Sequence, residues 1–236
     1  MKTSHGPVTL LLTTLISGSL QVRAQLVENF TFNSNFGGQP TLAIPDGNSV
    51  GASDDRSLTA AMSTIQSLTV TMNISGTFNG DLYAYLRHGS DFVVLLNRPG
   101  SALGNSAGYA DSGLNVTFAD GAANGDIHNY QMVLTPALGT QLTGTWAPDG
   151  RNVDPASVLE TSARSTSLSS FAGSNPSGSW TLFVADMDSG GANTLTSWSL
   201  NITEVPEPRD AIAFTGLALI GFVVWRKRRS QPGKAM

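Results

Sequence analysis

Hydrophobic and polar residues alternate with period two along most of the chain, and the clearest instance lies near its end. From Gly178 onward, Trp180, Leu182 and Val184 alternate with Thr181, Phe183 and Ala185. This predicts a strand with one apolar row turned to a core, while Phe183 thickens the opposite face. Asp186 to Asn193 follows with two acids, a serine and Gly190-Gly191, residues that bond their own backbone or accept positive φ, so the chain turns there. Leu195, Trp198, Leu200 and Ile202 resume the apolar row after one irregular step, with Ser197, Ser199 and Asn201 between the last three. The two strands are expected to pair as an antiparallel hairpin that closes a β domain.

The same period recurs upstream. Phe30, Phe32 and Phe36, set between polar residues in Val27 to Gly38, predict an edge strand ending in a glycine turn. Ile44-Pro45-Asp46-Gly47-Asn48 is a turn, because proline fixes φ and Asp-Gly-Asn favours chain reversal. Ile65, Leu68, Val70, Met72 and Ile74 mark a long strand. Gly80-Asp81-Leu82 leads into another, in which Leu82, Ala84 and Leu86 face away from Tyr83 and Tyr85. Phe92 to Leu96 is continuously apolar and bounded by Asp91 and Arg98-Pro99-Gly100, which predicts a strand buried on both faces. Ser101 to Asp126 reads as loops around one short strand at Leu114, Val116 and Phe118, and a further strand is expected at Met132 to Leu134. Asp54-Asp55 reads as a solvated loop, and Trp146 to Arg151 as a turn with an aromatic anchor. No sustained helical period precedes residue 205. Many short strands separated by turns imply an all-β sandwich or jelly roll.

Composition narrows this picture. At 40% hydrophobic and 13% charged, the 236 residues are too apolar for disorder. Once both ends are set aside, about 180 residues remain, enough for one good core. There is no cysteine, so packing, with or without a metal, must hold the fold. Between Leu26 and Glu204 five arginines face fifteen acids with no lysine, a formal charge of −10. Such a surface repels nucleic acid and anionic lipid and tolerates cations.

The two ends read as targeting segments. Lys2, the apolar stretch Val8 to Leu20 and Val22-Arg23-Ala24 have the order of a secretory signal peptide, so residues 1–24 are expected to be removed after Ala24. At the other end, Val205-Pro206-Glu207-Pro208 precedes an apolar run from Ala211 to Trp225 and the basic group Arg226-Lys227-Arg228-Arg229. Fifteen helical residues rise about 22 Å, short of a hydrocarbon core of about 30 Å, so the run is a marginal membrane helix. The basic group holds its end in the cytoplasm and leaves residues 25–204 outside.

No catalytic constellation is evident. His88 and His128 have no metal-ligand spacing and read as exposed polar side chains, and there is no Gly-x-Ser-x-Gly elbow. An enzyme is therefore not expected. Asp46, Asp81, Asp186 and Asp188 all lie in or beside turns, and calcium prefers six to eight oxygens from such carboxylates and carbonyls; ordinary turn formation is the competing reading. Trp180 and Trp198 are expected in the core, and Trp146 either packs or offers a platform for sugar stacking.

The motifs carry two resemblances. The run Gly-x-Trp-x-Leu-x-Val-x-Asp, the acidic Gly-rich turn and Leu-x-Ser-Trp-Ser-Leu resemble the end of the P-domain (P/Homo B) that follows the protease in subtilisin-like proprotein convertases, and Ile44-Pro45-Asp46 and Gly80-Asp81-Leu82 extend the likeness upstream. That resemblance implies a jelly-roll module over 25–204 that stabilises or modulates a neighbour and supplies no catalytic residue, with calcium near matching aspartates. Pro206-Glu207-Pro208 with the apolar run 211–225 and the basic end 226–229 is similar to the PEP-CTERM sorting signal of Gram-negative bacteria. It implies that the tail, 205–236, is cleaved by an exosortase in the inner membrane, leaving the protein in the cell envelope or an extracellular polysaccharide matrix. Two functions follow: a binding or structural module of that matrix, or an accessory subunit of a separately encoded secreted protease.

Overall fold

The structure is a computed structural model, and its described residues are 25–204. The leader over 1–24, the motif Pro206, Glu207 and Pro208, and the apolar run 211–225 lie outside them. Ten strands follow in order: β1 (Val27–Phe32), β2 (Leu42–Ile44), β3 (Asn48–Leu58), β4 (Ile65–Ser75), β5 (Leu82–His88), β6 (Asp91–Asn97), β7 (Leu114–Phe118), β8 (Leu142–Trp146), β9 (Gly178–Asp186) and β10 (Asn193–Glu204). They build two sheets around one core, an all-β sandwich. The larger sheet runs β1-β10-β4-β7-β8, with β2 also on β10, and the smaller runs β3-β9-β5-β6. All pairs are antiparallel except β7 with β8. Among the described residues no helix is long and apolar enough to cross a membrane.

The expected hairpin of β9 and β10 does not form. Each strand joins a different sheet: β9 lies between β3 and β5, and β10 lies between β1 and β4. The reason is packing. Trp180, Leu182 and Val184 meet the same core as Trp198, Leu200 and Ile202, and two apolar rows that bury each other belong on opposed layers. The turn at 187–192 is thus a crossover between sheets. The irregular step before Trp198 is present as a register shift between Leu195 and Ser197, where the Thr196 hydroxyl donates to the Asn73 carbonyl at 3.0 Å.

Two other expectations are corrected, and of the two readings of Trp146 packing holds. Asp54 and Asp55 belong to the strand β3, and Asp54 is only 6% exposed. It accepts the Trp198 indole N–H at 2.6 Å and the Arg56 Nε–H at 2.7 Å, partners that make burial of a charge tolerable and that hydropathy does not reveal. Met132 to Leu134 is no strand: it ends a 3-10 segment, Ile127–Met132, and its three side chains are exposed. Trp146 closes β8 and is fully buried, its indole N–H donating to the Thr143 carbonyl at 3.0 Å, so it offers no platform to a sugar.

The sandwich is polar in a second sense. Residues 25 and 204 leave the same end, where the Glu204 amide donates to the Leu26 carbonyl at 3.0 Å. β10 carries the chain from there back to Asn193, so the turns 45–47, 76–81 and 187–192 gather at the opposite end.

Candidate functional site at the acidic end

Asp46, Asp81, Asp186 and Asp188 all come to this second end, and each is placed by its own element. Asp81 ends a 3-10 turn, Asn79–Asp81, whose entry residue Phe78 takes a left-handed φ of 55°. Its carbonyl accepts the Met187 amide at 2.7 Å, which ties the start of β5 to the crossover. Asp186 closes β9, and its Oδ2 accepts the Asn193 side-chain amide at 2.8 Å across the turn. Asp46 accepts the amides of Gly190 and Gly191 at 3.1 and 3.4 Å, so the Pro45 turn clasps the crossover. Asp188 stays exposed.

Arg98 was not anticipated as part of this group. Read in sequence, it only bounds a turn. The residue adopts a left-handed φ of 48° just after β6, and its guanidinium reaches Asp81 at 3.5 Å, Asp188 at 3.7 Å and the Gly80 carbonyl at 3.1 Å. One guanidinium does not balance four carboxylates. Burial, repulsion from Asp186 and then from Asp188 outweigh Arg98 and push the Asp81 carboxyl up to about 6. Asp186 is likewise raised, chiefly by burial and against the Asn193 hydrogen bond. Because Asp81 is buried, its ionisation costs the folded state stability. The cost is absent below about pH 4, grows as pH rises, and reaches about 3 kcal/mol above pH 6.

The carboxylates do not amount to a finished metal centre: among the described residues no group of three or more acids or histidines is gathered to hold an ion. Asp46, Asp186 and Asp81 are engaged instead by the Gly190 and Gly191 amides, the Asn193 side chain and Arg98.

His88 and His128, expected at the surface, are in the interior. His88 stacks on Trp180 at 4.2 Å with an interplanar angle of 6°, and its ring nitrogens face the carbonyls of Ser179 and Asn175 at 2.8 and 2.7 Å. His128 is fully buried. Its Nδ1 lies 2.8 Å from Asp149 Oδ2 and its Nε2 lies 2.9 Å from the Ser101 carbonyl. Ser101, His128 and Asp149 have the residue types of a hydrolytic triad but not its geometry, since Nε2 meets a backbone oxygen while the Ser101 hydroxyl donates to the Val158 carbonyl at 3.1 Å. Arg151 completes the cluster with Asp149 at 3.2 Å and Asp126 at 2.7 Å. Away from both groups, a cleft of about 320 Å³ is lined by Gln66, Ser67, Thr69, Asp120 and Ser169. Its one acid, Asp120, is engaged in accepting the amides of Leu168 and Ser169.

No known family matches the chain, and no curated protein matches it. Among solved structures, a chain from the crystal structure of the Aeromonas sobria serine protease (ASP) and chaperone (ORF2) complex aligns at a TM-score of 0.36 and 16% identity. The alignment covers 78% of this chain and 27% of that one, a likeness too slight to carry an argument.

Proposed function

We propose that the chain is an exported, non-catalytic binding or structural module of the cell envelope or extracellular matrix of a Gram-negative bacterium. In this reading a P-domain-like sandwich over 25–204 is made with a leader over 1–24 and a sorting tail over 205–236, held transiently in the inner membrane and cut near Pro206, Glu207 and Pro208 by an exosortase-type protease. The supporting observation is the polarity of the sandwich. Leu26 and Glu204 lie at one pole and the acidic turns at the other, the arrangement expected of a module tethered through the segment that follows Glu204. The engagement of His88 and His128 in the interior supports a role without catalysis. Mass spectrometry of protein recovered from the envelope and medium tests the processing step. Peptides from 26–204 are expected without any that contain Trp225; their persistence would make this a tail-anchored protein. Stoichiometric co-purification with a secreted subtilisin-like protease would instead support the accessory-subunit role.

Calcium belongs to the same proposal, with Asp46, Asp81, Asp186 and Asp188 as its carboxylate donors. A bound ion would supply charge neutralisation and nothing more. If the ion binds the folded chain alone, millimolar calcium is expected to raise the melting temperature by mass action. Asp81→Asn is expected to abolish the increment. Melting curves that coincide with calcium and with chelator would remove the ion from the proposal.

A further inference from the structure

Four of the large apolar side chains that the described residues leave in solvent belong to one loop, 132–138. Met132 is 83% exposed, Leu138 is fully exposed, and Val133 and Leu134 stand out beside them. The backbone holds them there. At the base of the loop the Val133 and Leu134 amides both donate to the Tyr130 carbonyl, at 2.9 and 2.8 Å. Tyr130 is itself buried, and its hydroxyl and the Gln131 side-chain amide each donate to Asp111 at 2.7 Å. On the return, the Thr140 amide and hydroxyl donate to the Ala137 carbonyl, and the Gln141 side chain donates to Asn73 Oδ1 and the Ile74 carbonyl at 2.8 Å. Polar groups at both ends of the loop are thus satisfied by the sandwich, while its apolar side chains project. Apolar surface kept out of the core in this way marks an interaction site.

The loop stands at the acidic end. Asn73 and Ile74 lie at the end of β4 next to the turn 76–81, and the Asn79 amide donates to the Asp111 carbonyl at 3.1 Å. Phe78, 40% exposed in that turn, carries the apolar surface towards the crossover, where its ring lies against Gly191. Carboxylates border this surface. Asp46 and Asp188 are exposed at the crossover, and Asp111 is half-buried at the base of the loop. Arg98 is paired with Asp81 and Asp188, and its mostly buried side chain shows little positive charge to solvent.

The two properties choose among occupants. The formal charge of −10 on residues 26–204 repels a bilayer with anionic head groups, and the segment that follows Glu204 starts at the opposite end of the sandwich. Two copies meeting at this end would set carboxylate against carboxylate. A protein with an apolar socket ringed by lysine or arginine suits both the projection and its acidic border. We infer that loop 132–138, with Phe78 and the carboxylates of Asp46, Asp111 and Asp188, is the docking surface for a basic protein partner. The inference rests on the binding-module reading above and names the chemistry of the partner and where it seats.

Photo-crosslinking of the full chain in the cells that produce it is the test, with a benzophenone amino acid replacing Val133 or Leu138, or Val27 at the opposite end as the control. Adducts are identified by mass spectrometry. The same protein adduct is expected from both loop positions and not from Val27, with lysine or arginine flanking the crosslinked site on the partner. Asp188→Lys, at an exposed position, is expected to lower the yield at least about fivefold without changing the melting temperature. Leu138→Asp should do the same to the crosslink from Val133. A yield that survives Asp188→Lys would overturn the basic partner. Adducts with lipid or with a second copy of this chain, or no adduct from the loop, would overturn the docking surface. The same samples read the underlying proposal separately: peptides from 26–204 without any containing Trp225 leave the exported module standing when the docking surface fails.

Discussion

Trp198→Ala is expected to lower the unfolding free energy by about 5 kcal/mol. The ring is 1% exposed in the middle of β10, which itself sits between β1 and β4, so truncation leaves a cavity that neither neighbouring strand can close without breaking its ladder. Phe32 lies 4.5 Å from it and loses its partner. The indole also donates to Asp54 at 2.6 Å, which leaves that buried carboxylate with Arg56 as its remaining side-chain partner. Trp198→Phe separates the two contributions. It keeps most of the volume and removes only the donor, so a loss of about 1 to 3 kcal/mol is expected. Urea unfolding followed by circular dichroism reads both values. A Trp198→Ala loss below about 1 kcal/mol would mean that the ring does not fill the core in solution.

The contrast between Trp198 and Asp54 shows what was legible in the sequence. Strands that place apolar residues at every second position, such as β4, β5 and β9, declare themselves because burial and period coincide. β3 does not, since Asp54 and Arg56 occupy positions where hydropathy expects solvent. The burial of Asp54 goes with an indole from β10 far along the chain, and no local pattern encodes that contact. The same holds for sheet assignment: period two identifies β9 and β10 as strands but is silent on whether two adjacent strands pair or face each other. At the acidic end the position of the four aspartates in or beside turns was legible from turn chemistry, but the burial of Asp81 and Asp186 was not. Arg98 was not, since its role depends on a left-handed backbone that swings its guanidinium towards Asp81 and Asp188. His128 was misplaced for a related reason. It occurs in a polar stretch, and only the fold brings Asp149 and the Ser101 carbonyl to its two nitrogens.

That His128 cluster carries the second large effect, and its pH dependence has a definite sign. Both ring nitrogens face acceptors, Asp149 Oδ2 and the Ser101 carbonyl, so both contacts are made only when both nitrogens carry a proton. Burial opposes the charged ring. The hydrogen bond and charge of Asp149, with the Ser101 carbonyl, outweigh burial and the repulsion of Arg151, and raise His128 above its ordinary value of 6.5. A raised histidine adds stability that is fully present below about pH 6.5 and is lost as pH climbs through the folded value. Asp81 acts in the same direction but in another window, since its cost sets in between about pH 4 and 6. The two contributions are therefore separable. Asp149→Asn leaves the buried cations His128 and Arg151 with Asp126 as their remaining acid, and it is expected to cost about 3 to 5 kcal/mol at pH 6. As pH rises from 6.5 to 9, the wild type sheds the His128 contribution while the variant has none to shed, so the difference between them should narrow. Urea unfolding of both proteins across pH 5.5 to 9 measures it. A gap that is constant over that range, or a wild type that gains stability above pH 6.5, would show that His128 is neutral in the folded protein and that Asp149 serves packing alone.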